Sequence, residues 1–316
     1  MPKRVLDIGV VDDTQLPVTQ RAPIRLVESD SITDGRVYVC LSHRWSASGL
    51  TLATTQRNYE KHMEGIPLQD LGTVFMDTVH ILRRLSVRYL WIDSLCIIQD
   101  QGGDWASEST MMAKIYSGAW FTLARQCGAS SEISIQDLKA RSHKLTNLAT
   151  PAVDFPLKSR GWVYQERLLS RRVVHFTDRE ISWECGEAEI CQCGWVKRKA
   201  HDLYSPKRNH TKALGIGNDV YQPDAHGIRQ RWRRMVSEFS PLQLTHISDR
   251  LPAIQGCVEQ IKEKIRDAYI FGLWRGSLLD DLLWSVHMQT ELEQRPPGLW
   301  HLPTWSWASV EGGVGY

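Results

Sequence analysis

The sequence predicts an α/β protein: a parallel sheet flanked by helices, elaborated by a mixed α+β second half. Two observations predict it. Short apolar, β-branched runs recur at 37–42, 88–92 and 120–123, and segments with helical spacing separate them. Strand, helix, strand, helix, strand in that order favours parallel pairing through crossover helices. Val37-Tyr-Val-Cys-Leu-Ser42 reads as the first buried strand. Leu71, Val74, Phe75, Thr78, Leu82 and Leu85 share one face of an amphipathic helix. Arg88-Tyr-Leu-Trp-Ile92 is the second strand, ending at Asp93. Gly102-Gly103 then breaks the chain, and Asp104 is expected to cap a helix running to about Tyr116. Trp120-Phe-Thr-Leu123 is the third strand.

The second half is less regular. Residues 128–158 read as a polar excursion, followed by a helix at Gly161–Leu168 and strands at Arg172–Phe176 and Glu180–Cys185. A polar stretch at 197–227 precedes helices at about 228–239 and 249–268, and Thr304-Trp-Ser-Trp-Ala-Ser309 alternates like a strand. The expected organisation is a lead-in at 1–36, an α/β core at 37–125, an elaboration at 126–310 and a tail at 311–316.

Composition excludes several classes. The 316 residues include 38 Lys and Arg against 36 Asp and Glu, a net charge of +2. That balance predicts no global attraction to nucleic acid. With 42% apolar residues and 13 tryptophans, the chain is no disordered polymer, which needs few aromatics and high charge. No apolar run reaches membrane-spanning length, and no charged-then-apolar leader precedes Asp7. A cytoplasmic protein with reduced cysteines is expected. The basic stretch from Lys197 to Lys212, with Arg229, Arg231, Arg233 and Arg234, is expected to be solvated surface. Cys185, Cys191 and Cys193, with His175 and His201 nearby, lack paired Cys-x2–4-Cys spacing, so no metal is expected.

Candidate chemistry gathers at the strand ends. In a parallel sheet, ligands bind beyond the carboxyl ends of the strands. Ser42-His43-Arg44-Trp45 and Asp93-Ser-Leu-Cys96 both fall there. Arg44 suits a phosphate, His43 a proton or hydrogen bond, and Trp45 or Trp105 a stacked base. Cys96 reads as a buried small apolar residue rather than a nucleophile. Glu108 shares a helix face with Met111, Met112 and Ile115. It is either a site acid or base, a partner in a salt bridge to Arg44 or Arg83, or an edge residue reaching solvent. In Arg160-Gly-Trp-Val-Tyr-Gln-Glu-Arg167, Gln165 and Glu166 line the same pocket, or Glu166 and the flanking arginines form an ion-pair network between lobes.

At these residues the chain resembles the HET (heterokaryon incompatibility) domain of filamentous fungi. The matching blocks are Tyr38–Trp45, Arg88–Asp100, Asp104–Tyr116, Arg160–Arg172, Trp183–Cys185 and Pro303–Ser309. His43 departs from the family's usual aromatic and Ser46 from its usual glycine. The resemblance implies a role in fungal nonself recognition and regulated cell death. HET domains are in turn distantly similar to TIR domains, some of which cleave NAD at the nicotinamide–ribose bond through a helix glutamate in a Trp-x-x-Glu setting. Trp105-Ala-Ser-Glu108 fits that setting. What this implies is a TIR-like sheet with Glu108 as the catalytic residue and NAD as substrate rather than cofactor. His43, Arg44, Trp45, Asp93, Trp105, Gln165 and Glu166 would be the binding residues. The alternatives are a non-enzymatic homo-oligomerising module and a HET scaffold recruited to another small-molecule reaction.

Overall fold

The computed structural model describes residues 1–10, 13, 15–35, 37–44, 52–125, 156–177, 181–192, 194, 197–198, 205–216, 223–286 and 295–316. The chain forms two compact units, Met1–Leu157 with Ser170–Arg198, and Lys158–Leu169 with Lys199–Tyr316.

The first unit is built on a nine-stranded sheet. Its strands are β1 (Arg4–Asp7), β2 (Arg25–Glu28), β3 (Tyr38–Ser42), β4 (Tyr89–Ile92) and β5 (Thr122–Arg125), then β6 (Arg172–Phe176), β7 (Ile181–Cys185), β8 (Glu189–Cys191) and β9 (Lys197–Arg198). The order is β2-β1-β4-β3-β5-β6-β7-β8-β9. The centre, β4-β3-β5-β6, is parallel, and both flanks are antiparallel. β3 and β4 are buried at every position, as strands covered on both faces must be. Helices α1 (Tyr59–Glu64), α2 (Thr73–Arg84), α3 (Asp93–Cys96) and α4 (Gly102–Gly118) connect them. The predicted α/β class and its core elements are thus present. The segment read as a lead-in supplies β1 and β2.

One local expectation fails here. Asp104 does not cap α4. It lies inside the first turn, and its carboxylate accepts instead from the Ile98 amide at 2.9 Å and pairs with Arg4. Helix α4 starts at Gly102, after Gln101. The excursion at 128–158 falls almost wholly outside the described residues.

The second unit holds α5 (Gly161–Leu169), α6 (Pro206–Ala213), α7 (Ala225–Phe239), α8 (Gln255–Ile265) and α9 (Leu278–Asp281), with the ribbons β10 (Tyr269–Ile270)–β11 (Leu273–Trp274) and β12 (Ser285–Val286)–β13 (Val314–Gly315). Helix α6 stands in the stretch read as polar loop, opened by Ser205, whose hydroxyl accepts from the Arg208 amide, and by Pro206 in the first turn. Its charges are only in part solvated surface: Lys207, Arg208 and, on α7, Arg231 are buried, while Lys212 and Arg234 are exposed. The Lys207 ammonium donates to the Arg167 and Leu168 carbonyls at the end of α5, and Arg231 grips Glu238 through both nitrogens at 2.7 and 2.9 Å.

Thr304–Ser309 is a turn followed by a single 3-10 turn, not a strand. The Ser306 hydroxyl accepts from the Ala308 amide at 3.1 Å and donates to the Phe271 carbonyl at 2.6 Å, curling the backbone. Trp232 and Trp307 both donate their indole N–H to the Gly272 carbonyl, at 3.0 and 2.9 Å. Gly272 has φ +97°, and a Cβ there would sit 2.5 Å from Trp307 Nε1, so only glycine fits. Among the described residues, no helix is long and apolar enough to cross a membrane.

Candidate active site

Strand order positions the site. From β3 the chain crosses to β4 on one side, then passes over β3 to reach β5 on the other. The carboxyl end of β3 is therefore a switch point, where an open parallel sheet leaves a crevice. Successive β3 residues face opposite sides. The Tyr38 hydroxyl donates to the Ile115 carbonyl at 2.6 Å and the Cys40 thiol lies 3.9 Å from it, so Tyr38, Cys40 and Ser42 face α4. His43 points to the other side, its ring edge-on to Phe75 of α2 at 5.0 Å.

Glu108 lies on the face of α4 that turns to the sheet, with Met112 and Ile115 buried beside it; Met111 is exposed. Only 3% of Glu108 meets solvent, and its Oε2 has no hydrogen-bond partner. Burial, the largest influence, pushes its carboxyl above the usual range; Arg4 and Lys3 oppose that shift and Asp104 adds to it. The expected salt bridges are absent. Arg83 is taken by Asp13 at 2.7 and 2.8 Å and by the Ile8 carbonyl, and Arg44 is exposed, without an ion pair to Glu108.

One turn earlier, Asp104 has the opposite fate. Burial alone would raise its carboxyl, but the Ile98 amide, Arg4 and Lys3 together hold it below the usual range. Arg4, buried at the start of β1, also donates to the Cys96 carbonyl at 2.9 Å. Its register opposite the carboxyl end of β4 follows from the Leu6–Leu90 pairing. Arg4 is thus a nearby cation of the site, with Lys3 beside it. Sequence reasoning missed it, although Arg4-Val-Leu-Asp7 leads an apolar run that reads as a strand start.

The other predicted residues distribute as follows. Asp93, half-buried, faces His43 Nδ1 across 3.8 Å. Trp105 on α4 is exposed, as is Arg44, and Trp45 lies outside the described residues. Cys96 is inert: burial, the largest cause, pushes its thiol up to about 12, and the charges of Asp93 and Glu108 both act on it. Gln165 and Glu166 belong to the second unit, on α5, and both are buried. The Gln165 carbonyl oxygen accepts from the Gly256 amide at 2.8 Å, an engagement that secures the start of α8.

Among the described residues no group of three metal-ligating side chains gathers. Cys185 and Cys191 join no such group among the described residues, and His175 pairs with Glu184 at 3.0 Å. Cys193 and His201 lie outside the described residues.

Residues 38–166 match the family model described as heterokaryon incompatibility protein (HET). No curated protein and no solved structure matches the chain.

Proposed function

The chain carries a HET domain, and from that premise we propose that it is a nonself-recognition, cell-death effector of the cytoplasm that cleaves NAD to nicotinamide and ADP-ribose, with Glu108 as the catalytic carboxylate. The observation that carries this reading is a carboxylate held out of water beside the switch point with one oxygen unpartnered. Buried carboxylates in scaffolding roles collect donors, and this one does not.

The reaction asks for such a group. The C1′–N bond breaks with its electron pair leaving on nicotinamide, and positive charge develops at C1′ and the ring oxygen. A carboxylate beside the ribose stabilises that charge and holds the sugar hydroxyls. Water then adds to C1′, and one proton is released. Arg4, whose charge reaches Glu108, favours the ionised form that this task needs. Asp93 and His43 stand at the same strand ends, and the exposed ring of Trp105 offers a stacking surface for nicotinamide or adenine. Arg44, solvent-facing just beyond β3, suits the pyrophosphate.

The test is nicotinamide release by the purified full chain at high protein concentration, wild type beside Glu108→Gln. Release by the wild type and loss in the variant supports the reading. Equal release by both overturns the role given to Glu108, and none from the wild type overturns the reaction and favours the oligomerising interaction module.

A further inference from the structure

Two serine hydroxyls in the first unit are buried without a partner: Ser42, 3% exposed, and Ser94, wholly buried. Among the described residues, the other buried serine and threonine hydroxyls are satisfied. Thr54 donates to the Leu95 carbonyl, Thr78 to Val74, Ser306 to Phe271, and Thr122 pairs with Ser170. An unsatisfied buried hydroxyl costs stability, and one helical turn or one carbonyl would relieve it. Both orphans sit at the carboxyl ends of the parallel strands, Ser42 as the last residue of β3 and Ser94 just past β4.

Ser42 shares its side of the sheet with Glu108. Tyr38 and Cys40 meet α4 at Ile115. Glu108 lies seven residues earlier on that helix, about 10 Å along its axis. Helix α4 runs back against the strands, as a crossover must, so this displacement is towards the carboxyl ends. Ser42 lies two residues past Cys40 in the same direction, about 7 Å on. A hydroxyl donor and a carboxylate acceptor, both unpartnered, thus stand at one end of one face, beside the switch point.

We propose that Ser42 is a second substrate-binding residue of the Glu108 site, and that the two together bind the vicinal hydroxyls of a ribosyl nucleotide. The inference rests on the function proposed above and names the part of the substrate that the site reads. The serine hydroxyl donates to one ribose oxygen, while the carboxylate accepts from the neighbouring hydroxyl. Two groups with no use in the fold are each satisfied by one diol.

The experiment uses ribose 5-phosphate and 2-deoxyribose 5-phosphate as probes, with binding to the full chain read by ligand-observed NMR. The wild type is expected to bind the ribose compound about tenfold or more tightly than the deoxy compound, and Ser42→Ala to lose that discrimination. Ser42→Thr, which keeps the hydroxyl, is expected to retain it. Thermal melting of Ser42→Ala should match or exceed the wild type, since no folded-state hydrogen bond is removed. Equal binding of both sugars by the wild type, no binding of either, or unchanged discrimination in Ser42→Ala overturns the proposal. So does a destabilised Ser42→Ala that keeps the discrimination. The two readings fail separately. Discrimination without nicotinamide release removes the NAD reaction and leaves the diol site. Release that needs Glu108 but is untouched in kcat and KM by Ser42→Ala removes the diol site and leaves the reaction.

Discussion

Each unit takes a carboxylate out of water, and the two are treated in opposite ways. In the second unit Asp281 is wholly buried and accepts from Arg233 Nε at 2.9 Å, the Trp274 amide at 2.9 Å and the Ser277 hydroxyl at 3.1 Å. In the first, Glu108 is nearly as buried, and its Oε2 has nothing. Burial is therefore not what marks a site. A buried carboxylate wrapped in donors holds elements together: Asp281 ties α9 and β11 to α7. One left without donors contributes nothing to the fold that an apolar side chain would not, and its retention needs another reason.

The comparison breaks if Asp281 proves dispensable. Asp281→Ala removes three hydrogen bonds and strands the Trp274 amide, while Arg233 keeps Asp280 at 3.0 Å. Loss of about 3 kcal/mol of stability is expected, read as a shift in the urea midpoint of the full chain. Asp104, the donor-rich neighbour of Glu108 on α4, should follow. Asp104→Asn leaves Arg4 buried without its counter-charge, and a loss of about 2–3 kcal/mol is expected at neutral pH. The folded carboxyl lies below its unfolded value. Its stabilisation is thus complete above the ordinary carboxylate range and disappears as pH falls through the folded value. Wild type and variant should therefore converge in strong acid, which urea melts across pH will read.

The second unit also strands a group, which tests the contrast from the other side. His210 is buried: its Nε2 meets Gln260 at 2.9 Å, and its Nδ1 has no hydrogen-bond partner. Burial, the largest cause, holds this imidazole down at about 3. A base depressed in the folded state is neutral there while the unfolded chain protonates. Stability is complete above the ordinary histidine value and falls as pH drops through it. Between pH 6.5 and 5 the loss is about 2 kcal/mol, and His210→Gln should flatten that limb of the stability curve.

How much of this was legible in the sequence depends on which residues are asked. The central strands and α2 were readable, because Tyr38–Ser42, Tyr89–Ile92 and Thr73–Arg84 carry their apolar pattern in one continuous stretch. Glu108 was readable as a carboxylate on an apolar face. Its lack of a partner was not, because Arg83 is claimed by Asp13, which no spacing rule connects to it. Helix α6 escaped notice because its buried side chains are Lys207, Arg208 and His210, of which Lys207 reaches the distant Arg167 carbonyl and His210 the Gln260 amide oxygen. The Trp305–Trp307 alternation misled for a related reason. Trp305 is half-exposed, while Trp307 is anchored to a carbonyl in the β10–β11 turn. In each case the missing information was a long-range hydrogen bond.

The smallest expected effect is the sharpest test. Glu108→Gln keeps the side chain's shape and removes its charge. An acid whose folded value is raised destabilises the folded state wherever the unfolded chain is ionised and the folded chain resists. The penalty is absent below the ordinary glutamate range and grows as pH rises through it to the folded value. The variant should therefore melt with the wild type in acid and gain about 1 kcal/mol at neutral pH. That slope is the reverse of the one expected for Asp104, one helical turn away. A protein that becomes more stable on losing a carboxylate, while losing nicotinamide release, carries that carboxylate for chemistry. One that becomes less stable has a partner for Glu108 after all, and the contrast with Asp281 dissolves.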